Sequence, residues 1–320
     1  MKISTVSLKY SDVRSIEENV DVAVQHLEIA LSESPDLVLL PELFPYFGIP
    51  IEEALPVADS LPGPLTDRLG AIANQHGTWV AGGTFSKDEV GYRNSMFLID
   101  DKGDLIGVYD KMFPTTGELA AGVVPGEEVK VFDTPWGRIG AATCFDMNFD
   151  EIMNGLGEHH AQLVLFPSFY HAGAHNIVRA IQNQYYIASA QVTGEGGYQG
   201  GFVVDPLGRW LTESSKDRPI VTAEIGLDFV VAHANWNEEQ IAAMEGDLGG
   251  GVTIVKMDKE ENVLITSYLA DRSAEDLAKE YGIELKTDYF ERARELRCRS
   301  PEFRGKPPGS FGDLGPLRNG

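Results

Sequence analysis

The chain of 320 residues reads as an α/β sandwich of two sheets covered on the outside by helices. Three observations predict this. Apolar runs of strand length alternate with segments of helical periodicity, as in βα units. Several neighbouring runs are separated only by turn residues, as in antiparallel hairpins. The composition, 43% hydrophobic with 34 Gly and 17 Pro, is that of an ordinary globular protein with a sizeable core.

The elements follow in chain order. Residues 2–8 (KISTVSL) form a strand. Ile16, Val20, Ala23, Val24, Leu27, Ala30 and Leu31 then recur at helical spacing, Ser15 and Glu18 have the capping-box pattern, and Pro35 closes the segment. Residues 36–42 (DLVLLPE) are a short apolar run, as expected of a strand buried on both faces. A helix spans 65–76 and ends at Gly77. TWVAGGTF, NSMFLID and DLIGVYDK are strands joined by turns, with Asp101-Lys102-Gly103-Asp104 between the last two. A loop over 114–126 leads to KVFDTP, the Pro135-Trp136-Gly137 turn and RIGAATC, which runs into a helix over 149–156. QLVLFPS, YYIASAQV, GGFVVDP and PIVTAEI are further strands, with a short helix over 176–183. From Asn235 the pattern changes to polar helices (238–245, 274–281 and 287–297) around one strand pair. The last twenty residues are rich in Pro and Gly and are expected to form an extended arm, either a loosely ordered tail or a strap onto a partner subunit. No linker separates two cores, so the expected division is one principal domain over 1–270, followed by a helical extension and arm over 271–320.

Charge and cysteine content exclude several functions. With 26 Lys and Arg against 49 Asp and Glu, a net charge of -23 repels phosphate backbones and anionic headgroups, so neither nucleic acid nor a membrane is an expected partner. No apolar run approaches the roughly 20 residues that span a bilayer, and residues 1–12 lack the apolar core of a signal peptide. Two cysteines, Cys144 and Cys298, make no disulfide framework or zinc spacing, which points to a reducing, cytoplasmic location. The adjacent His159 and His160 point in different directions and lie near no further ligand cluster, so a surface turn is expected there rather than a metal site.

Three residues could carry chemistry together. Cys144 ends an apolar strand at a strand-to-turn-to-helix junction, a place that exposes a nucleophile and aims backbone N–H groups at the atom it attacks, although a lone cysteine there is more often a small buried hydrophobe. Glu42 ends a strand that is otherwise apolar, and burial there suits a carboxylate to proton shuttling; a solvated edge carboxylate is the alternative. Lys111 ends DLIGVYDK, where lysines are commonly solvated. Attack of a thiol on an amide or nitrile carbon needs a base for the thiol proton, a cation for the oxyanion and an acid for the departing nitrogen. Cys, Glu and Lys at strand ends supply those roles.

At these residues the chain resembles the carbon-nitrogen hydrolase family, the nitrilase superfamily. The matching segments are LLPELF around Glu42, YDKMFPTTGE around Lys111 and GRIGAATCFDMNFDE around Cys144, supported by RAIQNQYYIASAQ and by GGFVVDPLGRWLTES with IVTAEI; the likeness covers about residues 1 to 230. It implies a four-layer αββα sandwich that dimerises into an αββα-αββα assembly. It also implies Glu42 as general base, Lys111 as oxyanion stabiliser, Cys144 as nucleophile and Glu118 as the second glutamate, which orients substrate and the lysine. The N–H of Phe145 would complete the oxyanion hole, and no metal or organic cofactor is required. In the family, nitrilases usually follow the nucleophile with Trp-Glu and amidases or carbamoyl-amine hydrolases with Tyr-Asp; Phe145-Asp146 points to an amide or N-carbamoyl substrate.

Three departures from the family pattern bear on specificity. Asn148 stands where many relatives that bind a carboxylate have Arg, Asp150 replaces the usual Pro, and Gln182 replaces a helix Glu. If Asn148 faces substrate, neutral or amine-bearing amides are favoured over carboxylates; if it caps a turn, it carries no such meaning. The chain is shorter than in relatives between His175 and the Arg179 helix, which alters the pocket rim, and Tyr170 and His171 are candidate substrate contacts there. The expected activity is thus hydrolysis of a small linear amide or N-carbamoyl amine by a homodimer or larger homo-oligomer, with nitrile hydrolysis, acyl transfer or a catalytically silent scaffold as alternatives.

Overall fold

The computed structural model describes residues 1–10, 15–194 and 200–299, apart from the side chains of 298 and 299. The expected arm over 301–320 and the side chain of Cys298 lie outside the described residues. The chain divides into two compact units, Met1–Leu227 and Asp228–Gly320, whereas the sequence leads to a division near residue 270.

The first unit is built on two mixed sheets flanked by helices, the αββα arrangement. One sheet has the order Ile220–Glu224, Lys2–Val6, Leu37–Leu39, Trp79–Lys87, Tyr92–Ile99 and Leu105–Asp110. Its three inner strands Lys2–Val6, Leu37–Leu39 and Trp79–Lys87 are parallel, and the outer neighbours are antiparallel. The other sheet runs Trp210–Glu213, Phe202–Val204, Tyr186–Thr193, Leu163–Ser168, Gly137–Ala141 and Val131–Thr134, with parallel pairing in the middle. Residues 2–8 are not one strand: Lys2–Val6 belongs to the first sheet, while Leu8–Lys9 pairs with Tyr186–Thr193 of the second.

Helices cover the outer faces because their apolar stripes match apolar strands. The helix Ile16–Leu31 opens with the Ser15–Glu18 capping box and buries Val20, Ala23, Val24, Leu27 and Ala30 in a cluster with Val38, Val80 and Ile99. On the other sheet, Asp150–Glu158 and Ala174–Asn183 contribute Ile152, Met153, Leu156 and Ala180 to a cluster with Val164, Phe166 and Ile187. The helix Pro64–His76 ends at Gly77 in the left-handed conformation, which glycine adopts without strain.

Two short helical segments differ from the sequence expectation. Within the loop expected over 114–126 lies the helix Thr116–Ala121, capped by Thr115 and closed by the left-handed Gly122. Its Thr-x-x-Glu start is a readable cap, but six residues are too few for a periodic apolar stripe. The strand at Cys144 does not pass directly into a helix either, because a 3-10 turn over Cys144–Asn148 intervenes before Asp150–Glu158.

The second unit has three antiparallel strands, Phe229–His233, Asn262–Ser267 and Val252–Met257, with Asn262–Ser267 central. The helices Glu238–Leu248 and Ala274–Tyr281 close its core through Ile241, Met244, Leu277 and Ala278. Phe229–His233 is a third strand beyond the expected pair; its short apolar run lacks the alternation that identifies a half-buried strand. No helix among the described residues is long and apolar enough to cross a membrane.

Candidate active site

Glu42, Lys111, Glu118 and Cys144 line one cavity of about 300 Å³ in the first unit. They arrive from four segments. Glu42 follows the strand Leu37–Leu39, and Leu43 next to it takes a positive φ of 50°, a costly conformation for a branched residue that turns the chain sharply at this point. Gly83 on the adjacent strand permits the approach: a Cβ there would stand 2.7 Å from the Glu42 Cα, and its N–H donates to Pro41 O at 3.1 Å. Lys111 follows the strand Leu105–Asp110, and Glu118 sits in the first turn of Thr116–Ala121. Cys144 opens the 3-10 turn with a positive φ of 48°, a strained conformation at the elbow that follows the strand Gly137–Ala141.

The ion cluster is buried and almost fully bonded. Lys111 Nζ donates to Glu42 Oε1 at 2.9 Å and to Glu118 Oε2 at 3.0 Å. Asn94 Nδ2 bridges the same two carboxylates, at 2.8 Å to Glu42 Oε1 and 2.6 Å to Glu118 Oε1. The remaining oxygen of Glu42 accepts from the Phe169 N–H at 3.0 Å, and Glu118 Oε2 also accepts from the Thr115 N–H at 2.7 Å. These contacts fix both carboxylates and leave Glu42 beside the cavity.

Electrostatics follow from burial and from these pairs. Burial raises the Glu118 carboxyl, but Lys111, Asn94 and the Thr115 N–H outweigh it and hold the group below its usual range. Burial opposes the Lys111 charge, yet the Glu42 and Glu118 carboxylates outweigh it and keep the ammonium protonated. The Cys144 thiol is pushed up to about 12 by burial and by the Glu42 charge, against the pull of Lys111 and of a hydrogen bond with Ser168. At neutral pH the sulfur therefore keeps its proton, and the adjacent carboxylate is placed to take it.

Asp146 braces the elbow. Its carboxylate accepts from Tyr109 Oη at 2.7 Å, from the Phe113 N–H at 2.9 Å and from the Thr143 N–H at 2.9 Å, tying the chain on both sides of Lys111 to the residue before Cys144. Burial pushes its carboxyl up to about 6, against the pull of those three donors.

The four residues assigned by motif thus come together, while the candidate substrate contacts do not all join them. Phe145 follows Cys144 in the turn, with its ring exposed and edge-on to Phe149 at 5.2 Å. Asn148 is exposed, donates to Phe145 O at 3.0 Å, and is absent from the cavity wall, which is the capping arrangement. Tyr170 and His171 also stand off the wall, and His171 stacks on Trp210 at 5.7 Å. Asp150 pairs with Arg179 at 2.5 Å, and Gln182 donates to Asn154 Oδ1 at 3.1 Å.

Sequence reasoning missed Asn94, Ser168 and the apolar wall. An amide at the start of the apolar segment NSMFLID is a readable anomaly for Asn94, and Ser168 likewise ends an apolar strand. The wall residues Leu43, Tyr46, Ile49, Ile51 and Phe85 are ordinary hydrophobes in the sequence and gave no such signal.

Two mixed sheets in an αββα sandwich with a buried Cys, Glu and Lys cluster at their strand ends define a class of hydrolase fold and site. The chain belongs to the carbon-nitrogen hydrolase family, whose model matches residues 2–235. Among its relatives, human omega-amidase NIT2 is 26% identical over 254 residues, covering 71% of this chain and 88% of that protein. Deaminated glutathione amidase of Dictyostelium discoideum is 27% identical over 245 residues, covering 67% of this chain and 84% of that protein. The fold matches the crystal structure of Saccharomyces cerevisiae Nit3, described as a member of branch 10 of the nitrilase superfamily, with a TM-score of 0.62 and 24% identity over 71% of this chain and 90% of that one.

Proposed function

We propose that the protein hydrolyses the C–N bond of a small linear amide or N-carbamoyl amine through a thioester on Cys144. The observation that carries this reading is the buried thiol sharing one cavity with Glu42 and Lys111. Glu42 takes the thiol proton as the sulfur attacks the carbonyl carbon, and the Lys111 ammonium with the Phe145 N–H holds the oxyanion. Collapse of the tetrahedral adduct breaks the C–N bond, Glu42 returns the proton to nitrogen, and ammonia or an amine leaves. Glu42 then deprotonates a water, which attacks the thioester; the C–S bond breaks, the acid departs and the sulfur regains its proton. Glu118 orients Lys111 throughout. Relatives named as amidases support the amide substrate, as does Phe145-Asp146 after the nucleophile. A homodimer and a cytoplasmic location belong with this reading, since a catalytic thiol functions in a reducing compartment.

The test is ammonia release from a panel of aliphatic amides, N-carbamoyl amines and nitriles by the wild-type protein and by Cys144→Ala. Turnover of amides should fall by about 10⁴-fold or more in the variant, and intact-protein mass spectrometry of the wild type should trap an acyl adduct on Cys144. Undiminished hydrolysis by Cys144→Ala would refute the mechanism, and preferential turnover of nitriles would replace the substrate class.

A further inference from the structure

Away from its charged floor, no described residue lining the cavity offers a ligand a positive charge. Lys111 is the sole cation among the described residues lining it, and two carboxylates, Glu42 and Glu118, are already bonded to its ammonium. The wall is formed by Leu43, Ile49 and Ile51 with the rings of Tyr10, Tyr46, Phe85 and Phe169, and Thr115 completes the lining. It is a fixed surface: Leu43, Tyr46, Ile49 and Ile51 pack against the buried cluster of Ala54, Leu55, Ala58, Phe85 and Val123. A volume of about 300 Å³, at about 30 Å³ for each water-sized group, holds a ligand of roughly ten non-hydrogen atoms.

We propose, resting on the amidase reading of this site, that it selects amides whose acyl group is uncharged and apolar, about five to eight carbons long, and rejects acyl groups ending in a carboxylate. A carboxylate at the far end of such a chain would leave water for a mainly apolar wall, away from Lys111 on the floor, with no cation among the described lining residues to meet it. The selection comes from the segment 43–51 and from Phe85 and Phe169, because Asn148, the position at which the sequence raises carboxylate binding, is outside the wall. An ammonium at the same position also loses its hydration, so the acidic surface can steer cationic amides toward the protein without the wall accepting them.

The experiment measures kcat/KM of the full-length protein by ammonia release for three amides of one chain length: hexanamide, 6-aminohexanamide and adipic acid monoamide. Hexanamide should exceed adipic acid monoamide by about 100-fold or more, with 6-aminohexanamide between them. Adipic acid monoamide turned over as well as hexanamide would overturn the proposal and leave the amidase reading standing. No ammonia from any of the three would remove both. Ile51→Lys, with Ile49→Lys as a second variant in case one fails to fold, should narrow the ratio by about 10-fold or more by giving the carboxylate a partner. An unchanged ratio in a folded variant of each would overturn the assignment of selectivity to this wall.

Discussion

The floor and the wall of the cavity are opposite kinds of surface. The floor is a closed polar network, with Lys111 between Glu42 and Glu118 and Asn94 bridging the same two carboxylates. The wall is mainly aliphatic and aromatic, held by side-chain packing and by backbone hydrogen bonds such as that from the Tyr46 N–H to Leu43 O at 2.9 Å. On the floor each group depends on its neighbours, so one substitution leaves a buried charge without its partner; on the wall the loss is local and graded with the area removed. The floor is therefore suited to set the reaction and the wall to set the acyl group.

Substitutions on the two surfaces can break or sharpen that contrast. Glu42→Gln should have the largest effect: amide turnover falls by about 10²- to 10⁴-fold as the proposed base is lost. The same change removes a negative charge from beside Cys144, so the thiol should titrate below its native value of about 12, and iodoacetamide should alkylate it at lower pH than in the wild type. Turnover and thiol ionisation would then move in opposite directions. A variant that alkylates more readily and keeps full turnover would remove Glu42 from the chemistry.

Lys111→Met should follow, because it leaves two buried carboxylates facing each other without their cation. A loss of about 3–5 kcal/mol in urea unfolding is expected, together with loss of amide turnover. A stability within about 1 kcal/mol of the wild type would mean that the charges are individually solvated, in the range of exposed pairs.

Ile49→Ala should have the smallest effect, because it trims the wall without touching the floor. The kcat/KM for hexanamide should fall by roughly 10-fold with the Cys144 alkylation profile unchanged. A shifted alkylation profile would show the two surfaces to be coupled.

How readily each surface can be read from sequence follows the same division. Glu42, Lys111 and Cys144 are polar or reactive residues at the ends of apolar runs, and Glu118 completes a Thr-x-x-Glu cap, so each breaks a local pattern. Asn94 breaks one too, at the start of a strand whose remaining residues are mostly apolar. Leu43, Ile49 and Ile51 break none, since a hydrophobe that lines a cavity has the same local signature as one in a core. Asn148 shows the converse: its motif position leaves it open between substrate contact and cap, and in the structure its side chain donates to the Phe145 carbonyl.

Periodicity and caps by themselves determined the long elements, among them the helix Ile16–Leu31 with its Ser15–Glu18 box and the hairpins from Trp79 to Asp110, because these depend on residues close in the chain. Tertiary structure alone decided that Leu8–Lys9 leaves the sheet of Lys2–Val6, that Phe229–His233 joins a three-stranded sheet, and that Tyr10, segments 42–51 and 111–118, Phe85, Cys144 and Phe169 line one cavity. Strand pairing and cavity walls are made by contacts between residues far apart in sequence, and no local pattern encodes which apolar surface will meet which.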